Sequence, residues 1–369
     1  MESFEIFLAA QPGLEGALLA EVREAGFAEP VAVPGGVTLQ GSWPDVWRAN
    51  LVLRGAGRVL ARIASFRAMH LAQLDKRARK VDWAAHLRPD LPVRVEATCR
   101  QSKIYHDRAA RQRIERAIAE TVGAPIAEGE DAPIRVMLRI EDDLAVISLD
   151  TSGEPLHRRG HKTFVGKAPM RETLAALFLR EAGFDGTEPL VDPMCGSGTF
   201  VLEAAEVARG LLPGRSRSFA FETFGSFDPA AFAAMKAVAP RDTDLLFHGS
   251  DRDDGAIRGA VANAERAGVA DLCRFTRAPV GALQRPDGPP GLVMVNPPYG
   301  ERIGNRKLLF ALYGSLGAVL KERFSGWRVG IVTSDGGLAK ATGLPFGPAG
   351  PPVAHGGLTV KLWLTGPLG

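Results

Sequence analysis

Apolar and polar positions change texture near residue 153. Before it, short segments switch repeatedly between strand and helix periods. Phe4–Ala9 reads as a strand, and Leu14, Ala17, Leu18 and Val22 then recur at helical spacing until Gly26 closes the helix. Val31–Val33 and Val37–Leu39, joined through Pro34-Gly35-Gly36, predict a hairpin. Residues 44–67 carry an amphipathic helix and a strand from Arg58 to Phe66. A basic helix around Leu71–Trp83, a strand at Val93–Thr98 and a basic helix from Asp107 to Val122 follow. Strands at Ile134–Ile140 and Leu144–Leu149 close the block, with Asp142-Asp143 as the turn between them. The pattern predicts an α+β body.

From Gly153 onward, short and almost wholly apolar runs alternate with helices: Pro189–Asp192, Leu245–Phe247, Leu292–Val295 and Val329–Val332. Such strands predict a parallel sheet covered on both faces, an α/β fold. The tail Leu358–Leu364 alternates as an antiparallel final strand would. The Pro/Gly-rich patches at 285–291 and 343–352 read as loops.

Composition narrows this little. The chain has 369 residues, 46% hydrophobic and 24% charged, which is ordinary for a globular protein and excludes disordered and coiled-coil readings. No apolar run approaches the ~18–20 residues that cross a bilayer, and the acidic start Met1–Glu5 does not read as a signal peptide. Cys99, Cys195 and Cys273 lack metal-ligand spacing, so no metal site is expected, and reduced thiols point to the cytoplasm. The charge distribution says more than the net charge of +3: Arg54 to Arg116 holds 16 Lys/Arg against 6 Asp/Glu. That excess fits a polyanion-binding module; solvated helix faces fit it as well.

Three segments carry candidate chemistry. Asp192-Pro193-Met194-Cys195-Gly196-Ser197-Gly198-Thr199 follows a strand and opens a helix, so Gly196 and Gly198 would let backbone approach a ligand at the carboxyl edge of the sheet. It is neither a phosphate loop nor a complete dinucleotide fingerprint, and a tight turn alone would also account for it. Asp251 follows the next strand, where a carboxylate suits a ribose; Asp251 or Asp253 could equally cap the following helix. Asn296-Pro297-Pro298-Tyr299 ends a later strand, the fourth of this domain, and is the sharpest signal. Its prolines fix the backbone and remove two N–H donors. The Asn296 side-chain oxygen and the Pro297 carbonyl can then accept both hydrogens of one NH₂ group, and Tyr299 offers a face to a planar base.

Together these segments resemble class I S-adenosylmethionine-dependent amino-methyltransferases. Leu156–Lys162, Ala168–Ala175 and Asn296–Arg302 resemble more closely the bacterial large-subunit rRNA guanine-N2 methyltransferases. Ser102–His106 is similar to part of a THUMP RNA-binding domain, and the insertion Arg217–Glu222 also fits that family. The resemblance implies a ferredoxin-like segment at 1–48, a THUMP domain at 49–155 and a Rossmann-like methyltransferase domain at 156–369, without the second catalytic unit of some family members. It implies S-adenosylmethionine as cofactor, held by Asp192, Pro193, Cys195, Gly196, Gly198, Thr199, Asp251 and Asn296. Asn296, Pro297 and Tyr299 would be catalytic. Lys76, Arg77, Arg79, Lys80, Lys103, Arg158, Arg159 and Lys162 would hold RNA, with Lys167, Arg171 and Glu172 beside the cofactor. The expected protein is a cytoplasmic monomer acting on 23S rRNA, independent of membrane or metal. One departure stands out: Phe275–Pro279 lacks the acid that many relatives place after the third strand for adenine. A tRNA substrate, a DNA adenine or protein glutamine methyltransferase and a non-catalytic RNA-binding factor are the other readings. The α+β start disfavours the glutamine enzyme, and the intact ligand residues disfavour the non-catalytic factor.

Overall fold

A computed structural model describes residues 3–127, 129, 132–163, 170–300 and 306–369. The chain packs as two compact units. One takes in the described residues up to Ala10, Leu19–Leu156 and Arg217–Ala237; the other holds Gln11–Leu18, His157–Ser216 and Val238–Gly369.

The first unit is built on a seven-stranded sheet of β1 (Phe4–Ala9), β2 (Val31–Val33), β3 (Gly36–Gly41), β4 (Arg58–Arg67), β5 (Val93–Arg100), β6 (Ile134–Glu141) and β7 (Leu144–Asp150), in the order β2-β3-β1-β4-β7-β6-β5. Only β5 and β6 are parallel neighbours. β1 bonds to both β3 and β4, so one sheet runs across residue 48 without a break. Alternating burial along β1 and β6 puts Ile6, Leu8, Val136 and Leu138 in the core. Asp142 and Asp143 have φ of 49° and 62°, the doubly left-handed pair that a two-residue hairpin needs between β6 and β7.

The helices up to this point are α1 (Glu15–Glu24), α2 (Trp43–Val52), α3 (Leu71–Ala78) and α4 (Asp107–Thr121). The first basic helix stops at Ala78, short of the expected Trp83. Trp83 turns inward, its indole N–H donating to the Ala78 carbonyl at 2.9 Å, while Asp82 caps a separate 3-10 turn at Trp83–Ala85. The insertion also differs from a purely catalytic-domain element, because Arg217–Ala237 belongs to the first unit. There Phe221 stacks on Trp47 with ring centroids 6.3 Å apart, and Arg217 donates to the carbonyls of Ser152, Glu154 and Pro155. It carries α7 (Pro229–Lys236).

The second unit follows the α/β expectation. Its strands are β8 (Leu190–Asp192), β9 (Phe247–Asp251), β10 (Cys273–Arg277), β11 (Leu292–Val295), β12 (Arg328–Thr333), β13 (Val353–His355) and β14 (Leu358–Leu364), in the order β10-β9-β8-β11-β12-β14-β13. The first five in that order run parallel, and β14 pairs antiparallel with β12. The helices are α5 (Glu172–Glu181), α6 (Thr199–Arg209), α8 (Asp254–Ala267), α9 (Arg306–Arg323) and α10 (Gly336–Ala341). β9 starts at Phe247 rather than Leu245, because pairing with β8 and β10 carries the polar His248–Asp251 into the ladder and delivers Asp251 to its end. Chain order reverses between β8 and β11, neighbours that come from distant parts of the sequence. Open α/β sheets bind ligands at the carboxyl ends of such a pair. Among the described residues no helix is long and apolar enough to cross a membrane.

Candidate functional site

The glycine loop leaves β8 and the Asn296 turn leaves β11, two adjacent parallel strands registered Leu190 to Leu292 and Val191 to Val293. Both loops therefore emerge at one edge of the sheet, and Met194 of one and Tyr299 of the other pack against the same apolar core. Gly196 and Gly198 adopt φ of 51° and 84°, conformations that favour glycine. A Cβ on Gly196 would meet nothing within 4 Å, whereas one on Gly198 would press on Ala260 and Phe275. Gly198 thus seats α6 against its neighbours, while Gly196 leaves open space in front of bare backbone.

The acid of β9 completes this edge. Asp251 accepts the Gly196 N–H through Oδ2 at 3.1 Å and the Asp253 N–H through Oδ1 at 2.9 Å. Each oxygen keeps a second lone pair for a ligand hydroxyl. The helix cap falls to Asp253, which accepts from Ala256 N at 3.1 Å, so Asp251 is spared that role. Asp192 is 3% exposed, and burial pushes its carboxyl up to about 8, with the Asp251 charge adding to the effect and the Met194 N–H opposing it.

At the end of β11, Asn296 Oδ1 is shielded from solvent and has no hydrogen-bond partner among the described residues. Buried acceptors are ordinarily paired, so an orphan at a loop over a ligand-binding edge marks a place held for a donor that arrives from outside. The turn itself is pinned from below. Tyr313 of α9 is fully buried; its hydroxyl donates to the Pro298 carbonyl at 3.3 Å and lies 3.2 Å from Thr333 Oγ1, which accepts the Asp335 N–H at 3.3 Å. Burial pushes the Tyr299 phenol up to about 12, which keeps its half-buried ring neutral. Tyr313 and Thr333 escaped the sequence reading because a tyrosine within an apolar helix looks like core. The signal available was that its hydroxyl must find a partner.

Residues 159–345 match the family described as RMKL-like, methyltransferase domain. The chain belongs to that family. Residues 5–60 match the RlmL ferredoxin-like domain. The Ribosomal RNA large subunit methyltransferase K/L of Vibrio cholerae is 32% identical over 336 residues, covering 87% of this chain and 48% of that protein. The protein of the same name from Syntrophotalea carbinolica is 37% identical over 359 residues, 92% of this chain and 50% of the relative. The chain thus spans about half the length of the curated relatives it matches. Among solved structures, SMU.472, a putative methyltransferase complexed with SAH, is 26% identical at a TM-score of 0.90, covering 100% of this chain and 99% of that one.

Within this RMKL-like methyltransferase domain, several residues expected to touch ligands have partners or packing inside the unit. Thr199 Oγ1 accepts from Lys162 Nζ at 2.9 Å and is 6% exposed, so its hydroxyl is engaged within the unit. Cys195 and Pro193 are buried, and burial raises the Cys195 thiol far above its ordinary value, so it packs as an apolar side chain. Arg159 and Lys162 do not stand out to meet RNA. Arg159 is 3% exposed and ion-paired with Glu203 and Glu206 of α6, and Lys162 also contacts Glu172 at 3.3 Å and the Met170 carbonyl at 2.9 Å. Glu206 also holds His161 and Arg215, and Arg159, His161, Lys162, Glu203 and Glu206 line a cavity of about 20 Å³, room for a single water. The sequence signal for this was the Glu203/Glu206 pair on a helix otherwise apolar on every face, since buried carboxylates require cations. Arg158 remains exposed.

In the first unit, Lys76, Arg77, Lys80 and Lys103 are exposed, whereas Arg79 is taken up by Asp75 and Glu120. Lys167 and the Glu301-Arg302 end of the turn motif lie outside the described residues.

Proposed function

We propose that this chain transfers a methyl group from S-adenosylmethionine to the exocyclic N2 amine of a guanine in RNA, with 23S rRNA as substrate. The observation that carries the reading is the orphaned Asn296 Oδ1 beside the Gly196–Asp251 edge. The residues present fit the cofactor: open backbone at Gly196 admits its amino-acid end, and the spare lone pairs of Asp251 suit the two ribose hydroxyls. That group, when bound, would supply an electrophilic sulfonium methyl with a neutral thioether as its leaving group.

A guanine amine is a weak nucleophile because its lone pair is delocalised into the ring. Asn296 Oδ1 and the Pro297 carbonyl accept its two hydrogens, which orients the nitrogen and stabilises the positive charge that grows on it. The surplus proton then leaves the methylated amine for solvent, so no strong base is required first. Tyr299 stacks on the extruded base and offsets part of the cost of unstacking it. Tyr313, through Pro298, keeps the turn in register. Tyr313→Phe should lower kcat about tenfold, in line with the loss of one positioning contact, while the dissociation constant for S-adenosylmethionine stays unchanged.

We further propose that residues 49–155 act as the RNA-binding THUMP part of the first unit, with Lys76, Arg77, Lys80 and Lys103 on phosphates, and that the protein works as a monomer in the cytoplasm. The decisive experiment is nucleoside mass spectrometry on separately purified 23S rRNA and tRNA from cells lacking this protein. Loss of N2-methylguanosine from 23S rRNA, restored by wild type but not by Asn296→Ala, supports the reading. A loss confined to tRNA would replace the substrate, and no loss in either would overturn RNA methylation.

A further inference from the structure

Tyr105 is 72% exposed, the most exposed of the large apolar side chains in the described structure, and it is displayed rather than left loose. Its loop, between β5 and α4, is tied at several points. Lys103 N–H donates to Asp143 Oδ1 at 2.8 Å, Asp143 N–H donates to Ser102 Oγ at 3.1 Å, and Ser102 Oγ donates to the Arg100 carbonyl at 2.6 Å. Ile104 is buried beneath it, and Asp107 accepts the Cys99 N–H at 2.7 Å on the far side. Gln101 lies at φ 46°, a left-handed conformation uncommon outside glycine, at the start of this loop, and the loop is tied to the β6–β7 hairpin through Asp143. The outcome is a stiff tip with an aromatic ring standing in water, backed by the His106 ring at 4.2 Å.

The neighbours of the loop that carries the ring point to a class of ligand. Met69 is 44% exposed, and its sulfur lies 3.8 Å from Lys103 Nζ. Arg67, Arg100, Lys103 and Arg108 are exposed on this loop and the segments tied to it, while the Asp107 and Asp143 carboxylates there are taken up by the Cys99 and Lys103 backbone N–H groups. An apolar partner surface would not call for this density of cations, whereas a polynucleotide needs cations for its phosphates and flat faces for its bases. In a duplex both faces of each base are already covered, so only an unpaired base can use the ring. We infer that Tyr105, on the loop that also carries Lys103 and its Met69 contact, forms a stacking site for an unpaired RNA base, so that the first unit takes hold of single-stranded RNA. This rests on the RNA reading above and adds which RNA feature is gripped.

The test is fluorescence anisotropy of the full chain with a labelled twelve-nucleotide oligoadenylate and with an RNA duplex of the same length. Tyr105→Ala should weaken single-strand binding about tenfold, as expected for one lost base stack. Tyr105→Phe should bind as wild type, and duplex affinity should change less than about twofold, because the lost contact is to an unpaired base. The salt dependence should be unaltered in Tyr105→Ala, while Lys103→Ala lowers the slope by about 0.7. Unchanged single-strand affinity in Tyr105→Ala, equal losses on strand and duplex, or no single-strand binding by wild type would each overturn the stacking site. The two readings separate cleanly. Binding through Tyr105 without methylation of rRNA leaves the site and removes the proposed reaction; methylation with binding indifferent to Tyr105 does the reverse.

Discussion

Asn296→Ala should reduce methyl transfer by about 10²–10³-fold or more in kcat, the scale on which a single preorganised polar contact to a developing charge acts. One feature of the site leads to this. Asn296 Oδ1 is a buried acceptor with no partner among the described residues, so its removal takes away a contact made only when the substrate is present. Cofactor affinity should fall far less than turnover, since Asn296 is only one of the residues expected to hold S-adenosylmethionine and Gly196, Gly198 and Asp251 are untouched; isothermal calorimetry with S-adenosylmethionine reads this directly. Stability should hold or rise. A buried acceptor without a donor costs about 1–3 kcal/mol in the resting protein, and alanine relieves that cost. A variant that lost activity together with cooperative unfolding would point to damage rather than chemistry, and one that kept full activity would end the mechanism. Asn296→Asp is the informative companion: it preserves an oxygen acceptor and should retain more activity than alanine.

The parts of this architecture that were legible in sequence are those where local pattern and tertiary role coincide. β11 is four apolar residues because it is covered on both faces, and the turn after it carries two prolines because its backbone must be fixed; both features survive without context. β9 was harder to read, since its carboxyl half is His-Gly-Ser-Asp and the strand's apolar signature stops where the site begins. The first basic helix was overread because Trp83 continues the apolar spacing while belonging to a separate turn. The place of Arg217–Ala237 in the first unit could not be read from local pattern at all: its phenylalanines suit any core, and only the partners Trp43 and Trp47 decide which one. Most misleading was the run His157-Arg158-Arg159-Gly160-His161-Lys162. A cluster of cations before a catalytic domain suggests phosphate binding, yet position by position the charges divide. Arg158 faces water, while Arg159 and Lys162 answer carboxylates supplied by α5 and α6.

That division leads to the second large effect. Arg159→Met should destabilise the protein by about 3–5 kcal/mol, the cost of stripping one partner from a buried ion pair. Side chains of Arg159, Glu203 and Glu206 are each exposed by 3% or less, so neither carboxylate could recover hydration without opening the unit. Burial by itself would lower the Arg159 pKa, but Glu203 and Glu206 outweigh it and leave the guanidinium more firmly protonated than in water. Urea unfolding followed by circular dichroism measures the change. The double variant Arg159→Met/Glu203→Leu separates two explanations. If the pair were a net source of stability, removing both members would leave the loss in place. If the loss comes from orphaning a charge, the double variant should recover much of it, because a well-packed apolar pair commonly matches a buried ion pair. Glu206 keeps His161 and Arg215 in either case, so recovery should be partial. Part of the effect should also reach the glycine loop. Lys162 joins the same cluster to Thr199 at the first turn of α6, so loosening it frees the helix that Gly198 seats, and S-adenosylmethionine affinity should fall along with stability. An Arg159→Met protein as stable as wild type would mean that the guanidinium is solvated in solution and available for RNA after all.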